Sequence, residues 1–191
     1  MNKTRIAVFA SGTGSNAINL IRYFNNHPTI EIGFVLSNKS DAPILNSAKD
    51  LGITAIHHPN GEVANGDFLV QLCQSHQINW IMLAGYLRLI PGQLIQQFEN
   101  KIINLHPSLL PKYGGKGMHG GHVHEAVIEN KEVESGITIH FVNEEFDKGK
   151  ILAQFRCSIN SNDTTASLAQ KIHVLEQSYL PVVVEKTIIN G

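Results

Sequence analysis

The 191-residue chain is poor in cysteine, in net charge and in long apolar runs, and each shortage excludes a class of protein. Its two cysteines, Cys73 and Cys157, are too few for a disulfide scaffold. A formal net charge of −1 gives no electrostatic footprint for nucleic acid or anionic lipid, so an anion must be bound by a local site. No apolar run approaches the ~20 residues of a membrane helix, and residues 6–10 are too short for the apolar region of a secretory signal. We therefore expect a reduced, cytoplasmic protein that acts on small molecules, without nucleic acid or membrane as a partner.

Short apolar runs alternate with helical patterns along the chain, which is typical of βαβ units and a parallel sheet. The pattern predicts an α/β, Rossmann-like fold with a mostly parallel twisted sheet of about seven strands and helices on both faces. We expect a single domain over residues 1–191, because α/β chains of this length often form one core. The candidate strands are residues 5–10, 31–37, 54–57, 80–84, 101–105, 136–142 and 151–158.

Apolar residues at i, i+3, i+4 and i+7 occur in two segments and predict two helices with an apolar face. The first set is Ala17, Leu20, Ile21 and Phe24, and the second is Leu69, Leu72, Cys73 and His76. Cys73 is therefore interpreted as a core residue rather than a nucleophile. A long helix is predicted from about residue 165 to residue 189, capped by Asp163 or Thr164 and kinked or broken at Pro181.

Asn104 and His106 end an apolar strand, and Pro107 then stops the ladder because proline has no N–H to donate. In an extended segment residues i and i+2 project from the same face, so an amide donor and a titratable imidazole point at one place. Such a pair alone is more often a capping asparagine beside a surface histidine. The functional interpretation depends on the motifs around it.

A glycine-containing loop at residues 11–16 follows the first strand and precedes a helix, so backbone N–H groups and the positive end of the helix dipole face outward. Gly12 and Gly14 let the backbone turn and approach a ligand, and Ser15 and Asn16 add side-chain donors. The loop also fits a loose dinucleotide pattern, which leaves a nicotinamide enzyme or a plain helix-capping turn as alternatives. An NAD enzyme would carry an acid where residues 37–39 read Ser-Asn-Lys, so NADP stays open.

Four segments carry a resemblance to a known family. They are residues 11–16, residues 83–90, residues 104–115 with the sequence NLHPSLLPKYGG, and residues 135–141 leading to Asp147. In this order they resemble the folate-dependent formyltransferases over essentially the whole chain. The resemblance implies transfer of a formyl group from the co-substrate 10-formyltetrahydrofolate to the amine of glycinamide ribonucleotide in de novo purine (IMP) biosynthesis, without a metal. It further implies that His106, Asn104 and Asp147 are catalytic, with Asp147 orienting the imidazole and raising its pKa.

The chemistry of that reaction suits these residue types. Negative charge grows on the formyl oxygen of a tetrahedral intermediate, and Asn104 and protonated His106 would stabilise it by donating hydrogen bonds. His106 and Asp147 would move the proton from the attacking nitrogen, through water. Thr138 and His140 share one face of the strand before Asp147, so they either line the site or are buried polar residues satisfied by the sheet.

By resemblance, the ligand-binding residues fall into three groups. The phosphate group is assigned Gly12, Gly14, Ser15 and Asn16, the ribose is assigned His173 and Glu176, and the folate is assigned Leu87, Arg88, Leu89, Ile90, Asn143, Glu144 and Asp147. The alternative for Leu87, Leu89 and Ile90 is core packing.

Two segments depart from the family pattern. Residues 58–65 lack the arginine that meets the glutamate tail of the folate. Residues 113–124 are longer and richer in glycine and histidine, and for them we predict a mobile lid followed by a helix near His122, rather than a metal site on the H-x-x-H-x-H spacing.

Three rival functions remain. Formyltetrahydrofolate deformylase is expected to have an N-terminal regulatory domain, for which there is no room before Arg5. Methionyl-tRNA formyltransferase is expected to have a C-terminal domain and a basic surface, which this chain lacks. An NADP-binding regulator would use the glycine loop alone. We expect a monomer or a weak homodimer.

Overall fold

The computed structural model describes residues 3–191, which contain seven strands and seven helices. The strands are β1 (Thr4–Phe9), β2 (Ile30–Ser37), β3 (Ala55–His57), β4 (Trp80–Leu83), β5 (Ile102–His106), β6 (Glu134–Phe141) and β7 (Ile151–Ser158). The helices are α1 (Ser15–Phe24), α2 (Pro43–Asp50), α3 (Asn60–Val63), α4 (Gly66–Ser75), α5 (Gly92–Gln97), α6 (Gly121–Glu129) and α7 (Thr165–Asn190). Every predicted strand is found with its ends within two residues of the predicted bounds, so these predictions are confirmed.

The strands follow the order β3-β2-β1-β4-β5-β6-β7 in the sheet. β1 pairs in parallel with β2 and β4, β2 pairs in parallel with β3, and β6 pairs antiparallel with β7. The α/β class and the mostly parallel sheet are therefore confirmed. Ligands of such sheets bind outside the carboxyl ends of the strands. The segments that follow β1 and β4, together with the last residues of β5, carry most of the predicted site residues.

The chain divides into two compact units, of which the first ends at Ile103 and the second is Asn104–Gly191. In the first unit the rings of Phe9 and Phe34 stack with centroids 6.4 Å apart, and Tyr86 meets Phe9 edge-on at 5.4 Å. α1 buries the four apolar residues that its spacing predicted. Cys73 is fully buried on α4, and this burial raises the pKa of its thiol to about 12, which confirms it as a core residue.

The second unit ends in the long helix α7. The side-chain oxygen of Thr164 accepts the N–H of Ser167, and the hydroxyl oxygen of Ser167 accepts the N–H of Thr164, which caps the first turn. The predicted break at Pro181 is wrong, because the helix continues past it. Pro181 is buried beside Leu180 and Val184, and this burial offsets the backbone hydrogen bond that proline cannot make. Among the described helices, none has both the length and the apolarity that a membrane crossing requires.

Candidate active site

The end of β5 presents Asn104 and His106 on the same side of the strand. Ile102, Ile103 and Leu105 of this strand are buried and hold it in place. His106 is also buried, with 4% of its surface exposed, whereas Asn104 is half-buried. The i, i+2 spacing therefore brings an amide and an imidazole to one place, as predicted from the sequence.

The carboxylate of Asp147 lies at the centre of the cluster. One oxygen, Oδ2, is 3.5 Å from Nδ1 of His106 and accepts the backbone N–H of Gly115 at 2.9 Å. The other oxygen, Oδ1, is 3.6 Å from Nε2 of His140 and 3.4 Å from Nδ2 of Asn104. Asp147 adopts a left-handed backbone conformation, with φ of 56°. Within the second unit, the structure thus brings together the three predicted catalytic residues and adds His140.

The ring of His106 has a partner at each nitrogen. Nε2 lies 2.7 Å from the carbonyl oxygen of Tyr113, and since a carbonyl oxygen only accepts, Nε2 carries the hydrogen. Nδ1 faces the carboxylate of Asp147. In this orientation Nε2 is the hydrogen-bond donor of the ring, and Nδ1 is the nitrogen that interacts with the carboxylate of Asp147.

His140 and Asn104 form the second half of the cluster. Nδ1 of His140 donates to the carbonyl oxygen of Phe141 at 2.7 Å, which leaves Nε2 as an acceptor. Nδ2 of Asn104 donates to that Nε2 at 3.1 Å. His140 therefore holds the amide of Asn104, so it contacts the cluster of Asn104, His106 and Asp147 and does not bond within the sheet alone.

Burial and charge act on the titration of the cluster in opposite directions. Burial lowers the pKa of His106, and although the charge of Asp147 and the hydrogen bond to Tyr113 raise it, the net pKa lies below the ordinary value. The prediction that Asp147 raises this pKa is therefore confirmed for the contribution of Asp147, and burial, which was not predicted, sets the net direction. Burial raises the pKa of Asp147, but its contacts with His140, His106 and Gly115 outweigh this and lower it.

Thr138 stabilises the segment that follows β5. Its hydroxyl donates to the carbonyl oxygen of Ser108 at 2.7 Å and accepts the N–H of Leu110 at 3.0 Å and Nε2 of Gln154 at 2.9 Å. Ser108 donates to the carbonyl oxygen of Lys112. Of the two alternatives for Thr138, the structure therefore favours the buried polar residue.

The sequence interpretation missed the contacts of Tyr113 and Gly115 with the cluster. Both act through backbone atoms, which no side-chain pattern reveals. The available signal is the pair of glycines at 114 and 115, because Gly115 has φ of 98°, a conformation that other residues rarely adopt.

In the first unit, the glycine loop leads into α1 as predicted. Gly14 is the N-cap residue with φ of 70°, and a Cβ atom there would lie 2.5 Å from the side chain of Ile44. At Gly12 a Cβ atom would meet no atom within 4 Å. The first turn of α1, which begins at Ser15, carries no acidic residue. Gly14 is thus required by the turn itself, and Gly12 leaves an open approach to the backbone.

Ser11 links this loop to two other strand ends. Its buried hydroxyl donates to Oδ1 of Asn38 at 2.6 Å and accepts the N–H of Leu87 at 3.0 Å. Nδ2 of Asn38 then donates to Oδ1 of Asn60 at 2.9 Å. The N–H of Ser11 donates to the carbonyl oxygen of Gly85 at 3.1 Å. None of these contacts was predicted, because they join residues far apart in the chain.

The residues assigned to the folate and the ribose differ in exposure. Leu87 and Leu89 are 48% and 53% exposed, Arg88 is exposed, and Ile90 is buried at 4%. Core packing is therefore correct for Ile90 only. Asn143 and Glu144 are exposed in the turn before Asp147. On α7, Nδ1 of His173 lies 3.7 Å from a carboxylate oxygen of Glu176.

The segment with the H-x-x-H-x-H spacing forms a loop and the first turn of α6. The rings of His119 and His122 meet edge-on with centroids 5.4 Å apart, and His124 is buried. The predicted helix near His122 is confirmed, since α6 begins at Gly121. Within residues 3–191, no three histidine, cysteine, aspartate or glutamate side chains come together in a metal-binding group.

Curated proteins with similar sequences include a formyltransferase and a trifunctional purine biosynthetic protein. The chain is 38% identical over 188 residues to the chloroplastic phosphoribosylglycinamide formyltransferase of Arabidopsis thaliana, covering 95% of this chain and 64% of that protein. It is 31% identical to the human trifunctional purine biosynthetic protein adenosine-3, covering 96% of this chain and 18% of that protein. The chain thus spans less than two thirds of the length of these relatives.

Solved structures show the same fold. The phosphoribosylglycinamide formyltransferase of Streptococcus pneumoniae superposes with a TM-score of 0.85 at 33% identity, covering 98% of this chain and 99% of that one. Glycinamide ribonucleotide transformylase 1 of Geobacillus kaustophilus gives a TM-score of 0.88 at 28% identity, with both chains covered completely. Residues 4–184 match the family described as Formyl transferase, and the chain belongs to that family.

Proposed function

We propose that this chain transfers a formyl group from 10-formyltetrahydrofolate to the amine of glycinamide ribonucleotide, N1-(5-phosphoribosyl)glycinamide, in purine biosynthesis. The observation that carries the proposal is the cluster of Asn104, His106 and Asp147 in a chain of the formyl transferase family. The names of the relatives support the choice of substrate. The proposal treats the chain as one formyltransferase domain, in keeping with the family match over residues 4–184.

The hydrogen on Nε2 of His106 is the group best placed to meet the formyl oxygen. The carbonyl oxygen of Tyr113 accepts it at 2.7 Å, a distance suited to an oxyanion donor. We assign to the formyl oxygen the position that this carbonyl oxygen takes, so binding of the formyl group requires residues 113–115 to shift. Asn104 is assigned the second donor, and one hydrogen of its Nδ2 must then turn to the formyl oxygen from its contact with His140 or Asp147.

His106 also acts as the base in this proposal. Burial lowers its pKa, so at neutral pH the neutral ring can take, at Nδ1 and through water, the proton that the attacking amine loses. The proton then passes to the folate nitrogen as the tetrahedral intermediate collapses, the bond between the formyl carbon and that nitrogen breaks, and tetrahydrofolate leaves. As negative charge grows on the formyl oxygen beside Nε2, the protonated ring becomes more favourable. The carboxylate of Asp147, 3.5 Å from Nδ1, stabilises that protonated ring. The sequence analysis expected the His106 ring to be protonated before the reaction begins. In this proposal the ring is neutral at first and becomes protonated as the amine attacks.

The binding assignments follow the chemistry of each segment. We propose that Gly12, Gly14, Ser15 and Asn16 bind the phosphate through backbone and side-chain donors at the start of α1, where no acid opposes an anion. The folate is assigned to the exposed Leu87, Arg88 and Leu89 with Ile90 behind them, and to Asn143, Glu144 and Asp147. His173 and Glu176 are assigned to the ribose.

The structure argues against a function that uses NAD. In dinucleotide-binding enzymes an acid at the end of the second strand holds the ribose. Here Asn38 follows β2, and its amide is bonded to Ser11 and Asn60. The proposal also includes small-molecule substrates, a monomer or weak homodimer, and the cytoplasm, which agrees with the free thiols of Cys73 and Cys157.

The test is an assay with purified chain, glycinamide ribonucleotide and 10-formyltetrahydrofolate, in which the formylated ribonucleotide is measured by mass spectrometry. The His106→Asn variant should fold and lose on the order of 10²–10⁴ in turnover, the range for lost acid–base help. His57→Asn, at the exposed histidine that ends β3, is the control. Formate release at the same rate without the ribonucleotide would identify a deformylase, and micromolar binding of NADPH would support the regulator.

A further inference from the structure

Ser11 connects the two segments that the proposed function assigns to different substrates. It stands directly after β1 at the start of the glycine loop and is 2% exposed. Its hydroxyl accepts the N–H of Leu87 and its own N–H donates to the carbonyl oxygen of Gly85. One buried serine therefore fixes the start of the Leu87–Ile90 segment through both its side chain and its backbone.

The direction of the hydroxyl is set by its neighbours. Nδ2 of Asn38 donates to Asn60, so Oδ1 of Asn38 is left to accept the single hydrogen of the Ser11 hydroxyl. A lone pair of the same oxygen is then free for the N–H of Leu87. The result is a continuous chain of hydrogen bonds in which each bond polarises the next.

Between the buried Tyr86 and Ile90, the side chain of Leu87 adds little packing. The side chain of Leu87 is 48% exposed, and Gly85 before it adopts a left-handed conformation with φ of 74°. At Leu87 itself, the hydrogen bond of its N–H to the Ser11 hydroxyl is therefore the contact that orients the backbone. The hydroxyl in turn sits on the same short loop as Gly12, where the backbone is open to a ligand.

We propose that Ser11 is a positioning residue that couples phosphate binding at the glycine loop to folate binding at Leu87–Ile90. A phosphate bound at Gly12 restrains the loop that carries Ser11, and this stabilises the existing bonds of the Ser11 hydroxyl to Asn38 and to the N–H of Leu87, which hold the Leu87 backbone where the folate binds. By linkage, the folate must tighten phosphate binding by the same factor. The inference rests on the proposed function and adds to it a route by which one substrate prepares the site of the other.

The experiment measures this coupling by calorimetry. The dissociation constant of a folate analogue that cannot donate a formyl group is determined with and without saturating glycinamide ribonucleotide. In the wild type, affinity should rise on the order of tenfold, within the usual range of coupling between sites. In Ser11→Ala the rise should fall below about twofold, and Asn38→Ala, which removes the acceptor of the hydroxyl, should also reduce it.

Ser37→Ala is the matched control. Ser37 is a fully buried serine at the end of β2 whose hydroxyl accepts the N–H of Lys39 and has no link to Leu87. A substitution that only destabilises the fold should lower the melting temperature and weaken the binding of both ligands. It should leave unchanged the ratio of the dissociation constants of the folate analogue measured without and with glycinamide ribonucleotide. Ser37→Ala should therefore keep the wild-type ratio. A wild-type ratio of one, or an undiminished ratio in Ser11→Ala, would overturn the inference.

Hydrogen exchange separates this inference from the proposed function. Inorganic phosphate should slow exchange of the Leu87 amide in the wild type and have no effect on it in Ser11→Ala. A wild type that transfers no formyl group contradicts the proposed function, and the exchange measurement still decides the role of Ser11. Equal protection of Leu87 in both proteins, or none in either, would remove Ser11 from the coupling.

Discussion

The carbonyl oxygen of Tyr113 lies 2.7 Å from Nε2 of His106 and accepts its hydrogen. The same segment supplies the N–H of Gly115 to Asp147, so the backbone of residues 113–115 contacts both members of the proposed acid–base pair. Tyr113 has φ of 56°, a conformation that costs energy in a non-glycine residue. That cost lowers the energy needed to shift the segment when a substrate oxygen competes for His106.

We expect Asp147→Asn to lower turnover and to shift the pH–rate profile. The charge of Asp147 raises the pKa of His106, so its removal lowers that pKa further. If the neutral ring is the active base, activity is lost as pH falls through this pKa, and the midpoint of the acid limb moves to lower pH in the variant. Asparagine tolerates the left-handed conformation of residue 147, so the fold should persist.

The measurement is kcat against pH for the wild type, Asp147→Asn and the exposed-site control Asp50→Asn. The control should follow the wild type. An acid limb that stays in place in Asp147→Asn would show that Asp147 is only a turn residue.

We expect the protein to lose stability on mild acidification. Burial lowers the pKa of both His106 and His124 below 6.5, the ordinary value. The unfolded chain then binds more protons than the folded chain as pH falls through 6.5, so the free energy of unfolding decreases. The pKa of Asp147 lies below 3.8, so its contribution is lost only in stronger acid, as pH falls through that lower value.

Melting temperatures between pH 7.5 and pH 5 test this second prediction. His124→Gln should reduce the slope of melting temperature against pH, and the double variant with His106→Asn should reduce it further. If neither variant changes this slope, the loss of stability on acidification comes from residues other than His106 and His124.

The two loop glycines should respond differently to the same substitution. Gly12→Val places a side chain in open space, so it should leave the melting temperature near that of the wild type and raise KM for glycinamide ribonucleotide on the order of tenfold by blocking the backbone. Gly14→Val combines a left-handed conformation with a Cβ atom 2.5 Å from Ile44, and should cost more than about 2 kcal/mol of stability. Unchanged KM in a folded Gly12→Val protein would argue against a phosphate at this loop.

Tyr86→Phe should stabilise the protein without loss of activity. Among residues 3–191 the buried hydroxyl of Tyr86 has no hydrogen-bond partner, and an unpaired buried polar group is costly. Its removal should raise the free energy of unfolding by about 1 kcal/mol, measured by urea denaturation. Tyr23→Phe, at a more exposed ring, is the comparison. A destabilised Tyr86→Phe would mean that the hydroxyl has a partner, such as an ordered water.

The sequence predicted the strands well because each is a short apolar run bounded by turn residues. The Asn104 and His106 pair followed from the alternation of a strand, which is a local property. Asp147 required the family resemblance, because no local pattern separates it from an ordinary charged turn. The net pKa of His106 could not be predicted, since it depends on burial by residues distant in sequence. The continuity of α7 past Pro181 depends on tertiary packing in the same way.

Along the chain, the loop after Tyr113 separates the residues of the proposed catalytic cluster. Gly115, Gly117 and Gly120 all adopt left-handed conformations, and Lys116 among them is exposed, which makes this loop a natural site for trypsin. A single cut after Lys116 would leave Asn104 and His106 on one fragment and His140 and Asp147 on the other. Activity that survives such a cut would then depend on noncovalent association of the two fragments, and denaturation of the nicked protein would become dependent on protein concentration.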